Sequence, residues 1–298
     1  MEWLIIYRNE HRSSAESIKQ MLMLHEIKSS ILSIDQLTDL EDENINTTVK
    51  NATYCVLLDD QLLVEDKVAF FYGFLIGRVS KFYSLNNEWS KTMGYFKNVM
   101  LFSGERLLSE KLESQLDAIK NEEKSREAFS SLFNDGIPFT ADCFAFHIEK
   151  DHLEICQRFI DAGISINCRT ELGTPMLNVA IRAEQNRMVE WILTQNVDID
   201  AVSNDRGYSA VMDAVWKNNY DLTKVLVERG ANLNFISRDG QSVLVLAVGA
   251  GKENICKLLA DSGADPDIKD EMGMSAYEYA KLFGRTDIVS ALEKTHKA

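Results

Sequence analysis

The chain has 298 residues, of which 45% are hydrophobic and 26% charged, and its formal net charge is −14. This is the composition of an ordinary globular protein, and the length predicts two domains. Residues 1–137 hold 15 basic and 22 acidic residues, and residues 138–298 hold 17 and 24, so each part carries −7. Phosphate binding needs clustered lysine and arginine, so we expect neither nucleic acid nor anionic membrane as a partner.

Targeting signals and metal-binding patterns are not evident. The start has an acid at position 2 and a short apolar run, unlike a signal peptide, and no apolar run could span a bilayer. The five cysteines show no metal-ligand spacing and no C-x-x-C motif. Free core thiols fit a reducing compartment. We therefore expect a cytoplasmic protein that needs no metal and no cofactor.

The first part of the chain alternates between strand and helix patterns. Five apolar runs predict strands, at residues 4–7, 31–34, 54–58, 82–85 and 99–102. Helix patterns follow the first and third runs, with Ser13 or Ser14 as the expected cap of the first helix. Such alternation predicts a parallel sheet covered by helices on both faces. The expected fold class is α/β plus α, with a small flavodoxin-like domain over residues 1–120.

Ligands of such a sheet bind beyond the carboxyl ends of its strands. The residues that follow the predicted strands there include Arg8, Asn9, Asp35 and Asp59, and these are the candidate ligand-binding residues. No G-x-G-x-x-G and no P-loop motif follows the first strand, which argues against classical dinucleotide and P-loop sites.

The third strand and the helix after it carry a family resemblance. Residues 52–60, Glu65 and residues 68–77 resemble Toll/interleukin-1-receptor-like (TIR-like) and nucleoside-deoxyribosyltransferase-like domains. The resemblance implies a nucleotide-type ligand and a glutamate that acts on a glycosidic bond. Phe71 holds the place of that glutamate, and a phenyl ring can neither attack nor accept a proton. The resemblance thus implies a domain that has lost catalysis, unless Glu65, Asp59 or Asp60 supplies the carboxylate.

Residues 105–134 are expected to connect the two domains. Leu108, Leu112, Leu116 and Ile119 form one helix stripe, and residues 121–125 are a polar break. Residues 123–137 resemble the second helix and the turn of a repeat, with Gly136 in the turn. We interpret this segment as a half-repeat that shields the first full repeat, because a terminal repeat needs a cap.

The rest of the chain repeats itself at 33 or 34 residues. Three ladders of small or turn-forming residues share this spacing: Gly173, Gly207, Gly240 and Gly273; Gly163, Asn196, Gly230 and Gly263; and Ala180, Ala214, Ala247 and Ala280. Such a period indicates stacked units in a solenoid. Each unit reads as a short apolar helix, a second amphipathic helix, a turn and a loop. The loop before Gly207 is one residue longer than the others.

The pattern of each unit resembles the ankyrin repeat, as in residues 173–180, which read G-T-P-M-L-N-V-A. The resemblance covers residues 121–298 with about five repeats. It implies a protein partner bound on the concave face by loop tips and first helices. The candidate contact residues that it assigns are Arg182, Tyr208, Trp216, Lys217, Ile236, Arg238, Asp239 and Met274.

Three hypotheses about the function remain open at this point. The favoured one is an intracellular interaction protein, in which Trp216 and Tyr208 form an aromatic patch with basic edges at Arg182, Lys217 and Arg238. The alternative is an enzyme that cleaves NAD or a nucleoside at its N-glycosidic bond, with the repeats selecting the target. A host-directed effector is a third reading that the repeats also permit.

Overall fold

The computed structural model describes residues 1–34, 43–59, 66–85 and 97–296, and of residues 43–44 and 66–71 only the backbone. The chain divides into two compact units, Met1–Glu123 and Lys124–Ala298. The first unit contains five strands: β1 (Glu2–Tyr7), β2 (Lys28–Ser33), β3 (Tyr54–Leu58), β4 (Lys81–Leu85) and β5 (Val99–Phe102). All pairings among them are parallel, in the order β2-β1-β3-β4-β5. This order confirms the predicted flavodoxin-like sheet.

Two layers of helices cover the sheet. On one face, α1 (Arg12–Leu24) and the first part of α4 (Glu105–Asn134) pack their apolar stripes against alternate residues of the strands. On the other face lie α2 (Glu43–Asn51) and α3 (Asp66–Arg78). The central strand β3 is buried along its whole length, which explains why it reads as a continuous apolar run.

The predicted cap of α1 is wrong. The helix is preceded by a short 3-10 turn, Asn9–His11, and its N-cap His11 makes no side-chain capping hydrogen bond. The hydroxyl of Ser14 instead donates to the carboxylate of Glu105, which the ring of His11 also contacts. Glu105 begins α4, so these contacts tie the starts of two helices on one face of the sheet.

The predicted break at residues 121–125 is also wrong, because α4 runs without interruption from Glu105 to Asn134. Glutamate and lysine are good helix formers, so a polar stretch can continue a helix. Here Glu123 is buried and accepts a hydrogen bond from the Tyr54 hydroxyl at 2.9 Å. Within the second unit, the end of α4 packs beside α6 (Leu153–Asp161). Lys124 pairs with Asp161 at 2.9 Å, and Arg158 pairs with Asp135 at 2.6 Å. These pairs connect the end of α4 to the second helix of the first repeat, and its role as a capping half-repeat stays a prediction.

The repeats form five consecutive helix pairs between residues 141 and 292. The first helices are α5 (Ala141–Glu149), α7 (Met176–Arg182), α9 (Ala210–Trp216), α11 (Val243–Gly249) and α13 (Ala276–Leu282). The second helices are α6, α8 (Asn186–Thr194), α10 (Tyr220–Glu228), α12 (Glu253–Asp261) and α14 (Thr286–Leu292). One continuous core joins all five pairs. Cys156 and Cys256 are buried in this core, and burial raises the pKa of each thiol to about 12.

Side chains also connect one repeat to the next along the turns. The side-chain oxygens of Asn167, Asp200 and Asn234 each accept a backbone N–H of the following repeat at 2.8 Å. Asp267 holds the equivalent place in the last repeat, and there it contacts the ring of His296. That ring also stacks on Tyr277 at 3.9 Å between centroids.

Across the described residues, no helix is both long and apolar enough for a membrane span.

Candidate functional site

The carboxyl edge of the sheet brings together Arg8 and Asp59, two of the four residues predicted there. They follow the neighbouring strands β1 and β3, and Arg8 Nε lies 3.0 Å from Asp59 Oδ1. The Tyr72 hydroxyl donates to the other carboxylate oxygen at 3.1 Å. Burial, with the adjacent carboxylate, raises the pKa of Tyr72 well above its usual range. Asp59 is fully buried, whereas Arg8 remains partly exposed.

The other residues predicted at this edge are either exposed without a described role or lie outside the described residues. Asn9 is exposed in the 3-10 turn after β1. Asp35, Asp60 and Glu65 lie outside the described residues. Phe71 lies on α3, but its side chain is outside the described part of the chain.

In the repeats, we call the surface formed by the five first helices and the loop tips before them the first-helix face. Trp216 ends α9 on this face and is 55% exposed. Tyr208, at the base of the preceding loop, is only 4% exposed and belongs to the core. Tyr208, predicted as a contact residue for a partner, is therefore a core residue. The two rings meet edge to face, with centroids 6.4 Å apart.

The cation beside this aromatic pair is Arg206. Its guanidinium lies 5.4 Å from the Tyr208 ring centroid and 5.5 Å from that of Trp216. Arg206 was not among the predicted contact residues, although it lies in the loop before Gly207, whose extra residue the sequence had revealed. The extra residue lies between Ser203 and Gly207, because Ser203 N donates to Tyr208 O as Thr170 N does to Thr174 O.

Arg182, predicted to contact a partner, is held by neighbouring residues instead. Its Nε donates to Asp213 at 2.8 Å, and its terminal nitrogens donate to Asp205 and Ser203. Asp213 is 1% exposed, and burial raises its pKa despite the bonds from Asn178 and Arg182. Burial alone would raise the pKa of Asp205, but bonds from Ser203 and Arg182 hold it far below its usual value.

Two grooves lie on the first-helix face. The N-terminal groove, of about 590 Å³, lies between α5 and α7 and is lined by Phe146, Leu172, Arg182 and Glu149 among others. The C-terminal groove, of about 580 Å³, extends over α11 from Trp216 to Tyr279 and Phe283. Sequence reasoning missed Phe146 and Leu172, both exposed. Leu172 could have been predicted from the sequence, because it directly precedes Gly173 as the candidate contact residue Asp239 directly precedes Gly240.

Comparison with known proteins decides the family. The sequence profile described as "Ankyrin repeats (3 copies)" matches residues 144–237 and 230–297, just over half of the chain. The chain belongs to the ankyrin repeat proteins. An ankyrin repeat-containing protein of Treponema pallidum is 32% identical over 63% of this chain and 63% of its own length.

Other relatives of this ankyrin repeat protein match smaller shares. The B-cell lymphoma 3 protein homolog of Mus musculus is 30% identical over 42% of this chain and 30% of its own length. An ankyrin repeat, SAM and basic leucine zipper domain-containing protein of Ovis aries is 34% identical over 35% of this chain and 22% of its own length. The chain thus spans less than two thirds of the length of each of these relatives.

The remaining predicted contact residues of the ankyrin unit differ in their surroundings. Lys217 pairs with Glu184 at 2.8 Å, and Arg238 donates to the carbonyl of Asn204 at 2.7 Å. Ile236 and Asp239 are exposed in their loop, whereas Met274 is half-buried. In the described ranges, no three histidine, cysteine or acidic side chains are grouped as a metal site would require.

Proposed function

We propose that this ankyrin repeat protein is an interaction module, which binds a protein partner on its first-helix face. The observation that carries the proposal is the C-terminal groove, where Trp216 stands exposed beside an apolar floor. Tryptophan dominates binding hot spots because it removes much apolar surface from water at a small entropy cost. Two of the three relatives carry ankyrin repeats in their names, and repeats of this family are the part of the chain to which we assign the recognition role.

Replacing Trp216 with alanine should abolish partner capture and leave folding intact. Loss of a buried hot-spot ring costs about 2–4 kcal/mol of binding, roughly 30-fold or more in affinity. Trp216 is 55% exposed in the free protein, where its ring contacts Tyr208 and Arg206, so the melting temperature should change little. Pull-down from lysate with quantitative mass spectrometry, beside thermal unfolding, measures both effects.

Tyr220→Ala is the matched control. Tyr220 belongs to the same repeat and is 42% exposed, but it begins the second helix α10 and lies outside both grooves. Capture should survive this change. A lower melting temperature with unchanged capture in Trp216→Ala would contradict the proposal.

We further propose that the first unit is a non-catalytic domain that binds a nucleotide-type ligand at the carboxyl edge of its sheet. The placement of Arg8 and Asp59 beyond neighbouring strands supports this, because the order of strands reverses between β1 and β3. The partly exposed guanidinium of Arg8, which the buried carboxylate of Asp59 holds in place, suits the phosphate oxygens of a nucleotide. Asn9 would add an exposed amide to the same edge.

Thermal shift with NAD and a panel of nucleosides tests this second proposal, with product analysis for cleavage. We expect a higher melting temperature without cleavage, and a smaller shift in Asn9→Ala, which removes an exposed group and no core contact. Cleavage would instead establish the alternative, an N-glycoside-cleaving enzyme. If no compound shifts the melting temperature, the ligand proposal is wrong.

A further inference from the structure

The C-terminal groove has the form of a slot for one side chain. We propose that it binds a bulky apolar side chain of a partner peptide whose neighbouring residues are basic. This rests on the proposed function, since it names the kind of partner that the first-helix face takes.

The slot exists because one side chain is missing from the face. The residue nine positions after the loop glycine is Arg182, Trp216 and Leu282 in three repeats, but it is Gly249 in the fourth. A Cβ atom built on Gly249 would meet nothing within 4 Å. The gap lies over Val245 and Leu246, so its floor is apolar.

The walls of the slot are fixed before any partner binds. On one side, the Trp216 ring lies against Tyr208 and under the guanidinium of Arg206. On the other side, the Tyr279 hydroxyl donates to Asp270 at 2.7 Å, and its ring stacks on Phe283 at 5.7 Å. Walls that are already ordered lose little conformational entropy on binding, which favours a defined ligand.

The size of the slot fits a side chain better than a whole domain. A volume of about 580 Å³ holds a leucine or phenylalanine with part of its backbone. Burial of one such side chain favours binding by roughly tenfold or more over a polar residue of similar length.

Charge selects the residues beside the apolar side chain. Asp239 and Glu271 are exposed in the two loops that contribute Gln241 and Asp270 to the groove. Neither carboxylate forms an ion pair with any residue in the described part of the chain, whereas Lys252 lies at the far end of the slot. Asp270, which lines the groove, adds a third carboxylate, whereas the nearby cations that form no ion pair with described residues are Lys252 and Arg238. Arg206 pairs with Asp205, and Lys269 pairs with Glu278. This excess of carboxylates, within residues 138–298 that carry −7, favours a basic partner. The same acidity disfavours a second copy of this chain.

Short synthetic peptides test the proposal on the full-length protein. They carry leucine, phenylalanine or serine at the centre, flanked on both sides by either lysine or glutamate, and are added up to about 1 mM. The readout is the indole N–H resonance of Trp216, assigned by its loss in Trp216→Phe. We expect leucine and phenylalanine peptides with lysine flanks to bind about tenfold or more tightly than the serine peptide or the glutamate-flanked peptides.

Gly249→Leu fills the slot without straining the backbone. Gly249 is the last residue of α11 and its φ is not in the left-handed region, so leucine should preserve the melting temperature. We expect this variant to lose the peptide at least tenfold. Asn254→Leu adds the same side chain at an exposed position of α12 and should bind as the unaltered protein does. Asp239→Asn combined with Glu271→Gln should reduce the preference for lysine flanks several-fold.

The proposal is overturned if no peptide perturbs Trp216, if serine binds as well as leucine, or if Gly249→Leu binds normally. It is likewise overturned if the protein is a dimer that Gly249→Leu dissociates, since a second copy would then fill the slot. Capture that depends on Trp216 in lysate, together with any of these results, would leave the proposed function standing and remove only this inference.

Discussion

Replacing Gly207 with alanine is expected to lower the free energy of unfolding by about 3 kcal/mol or more. Gly207 has a φ of +68°, and a Cβ there would lie 2.6 Å from the backbone nitrogen of Arg238. The left-handed conformation costs an alanine about 1–2 kcal/mol, and the clash with the next repeat adds to it. Urea unfolding of the full chain, followed by its helical circular dichroism, measures the loss.

Gly273→Ala separates the two contributions. Gly273 has a similar φ of +77°, but a Cβ there meets nothing within 4 Å. This variant should therefore lose only about 1–2 kcal/mol. Equal losses of stability in the two variants would contradict the prediction, because they would show that the close approach of Arg238 does not exclude a side chain at position 207.

Arg182→Met is expected to cost about 3–5 kcal/mol of stability, because it leaves the buried carboxylate of Asp213 without its cation. Asn178 would still donate to this carboxylate at 2.8 Å, but an amide carries no charge. The packing of α7 against α9 should suffer first. Equilibrium unfolding in urea quantifies the loss, and hydrogen exchange locates it in these two helices.

Two further variants give this prediction its controls. Arg182→Met with Asp213→Leu removes both charges and should recover most of the lost stability, because an apolar pair of similar volume replaces a buried ion pair. Arg187→Met removes the partner of Asp151 in an exposed ion pair, which should cost less than about 1 kcal/mol. If Arg182→Met were as mild as Arg187→Met, the burial of Asp213 would not matter to stability.

Arg182→Met and the double variant Arg182→Met with Asp213→Leu also test the interaction surface. Arg182 lines the N-terminal groove and holds Asp205 beside Arg206, which lies over Trp216. A loss of partner capture in Arg182→Met can therefore reflect a displaced loop as well as a lost contact. The double variant restores stability without Arg182, so a return of capture in it would assign the loss to instability. Capture that stays lost would assign it to the missing bond to Asp205 or to the missing partner contact.

The repeats and the sheet could both be predicted from local patterns. Ladders such as Gly173 to Gly273 report the period of the stack directly, because each unit must place the same turn at the same height. The run 54–58 identified a doubly covered strand, since both faces of such a strand must be apolar. The helix through residues 121–125 was not predicted because a run of polar residues resembles a break when only apolar spacing is counted. Glu123 in this run is buried, where it accepts a hydrogen bond from Tyr54, a partner that the spacing does not reveal.

The sequence by itself determined the number and kind of repeats, their helix pairs and the parallel sheet, because each depends on the periodic burial of apolar residues. It also marked the longer loop before Gly207. Only the tertiary structure decided that Tyr208 is buried, that Arg206 rather than Arg182 lies beside Trp216, and that Gly249 opens a groove. These pairings join side chains from different repeats or from loop and helix, and their partners are selected by packing geometry, which no spacing along one chain records.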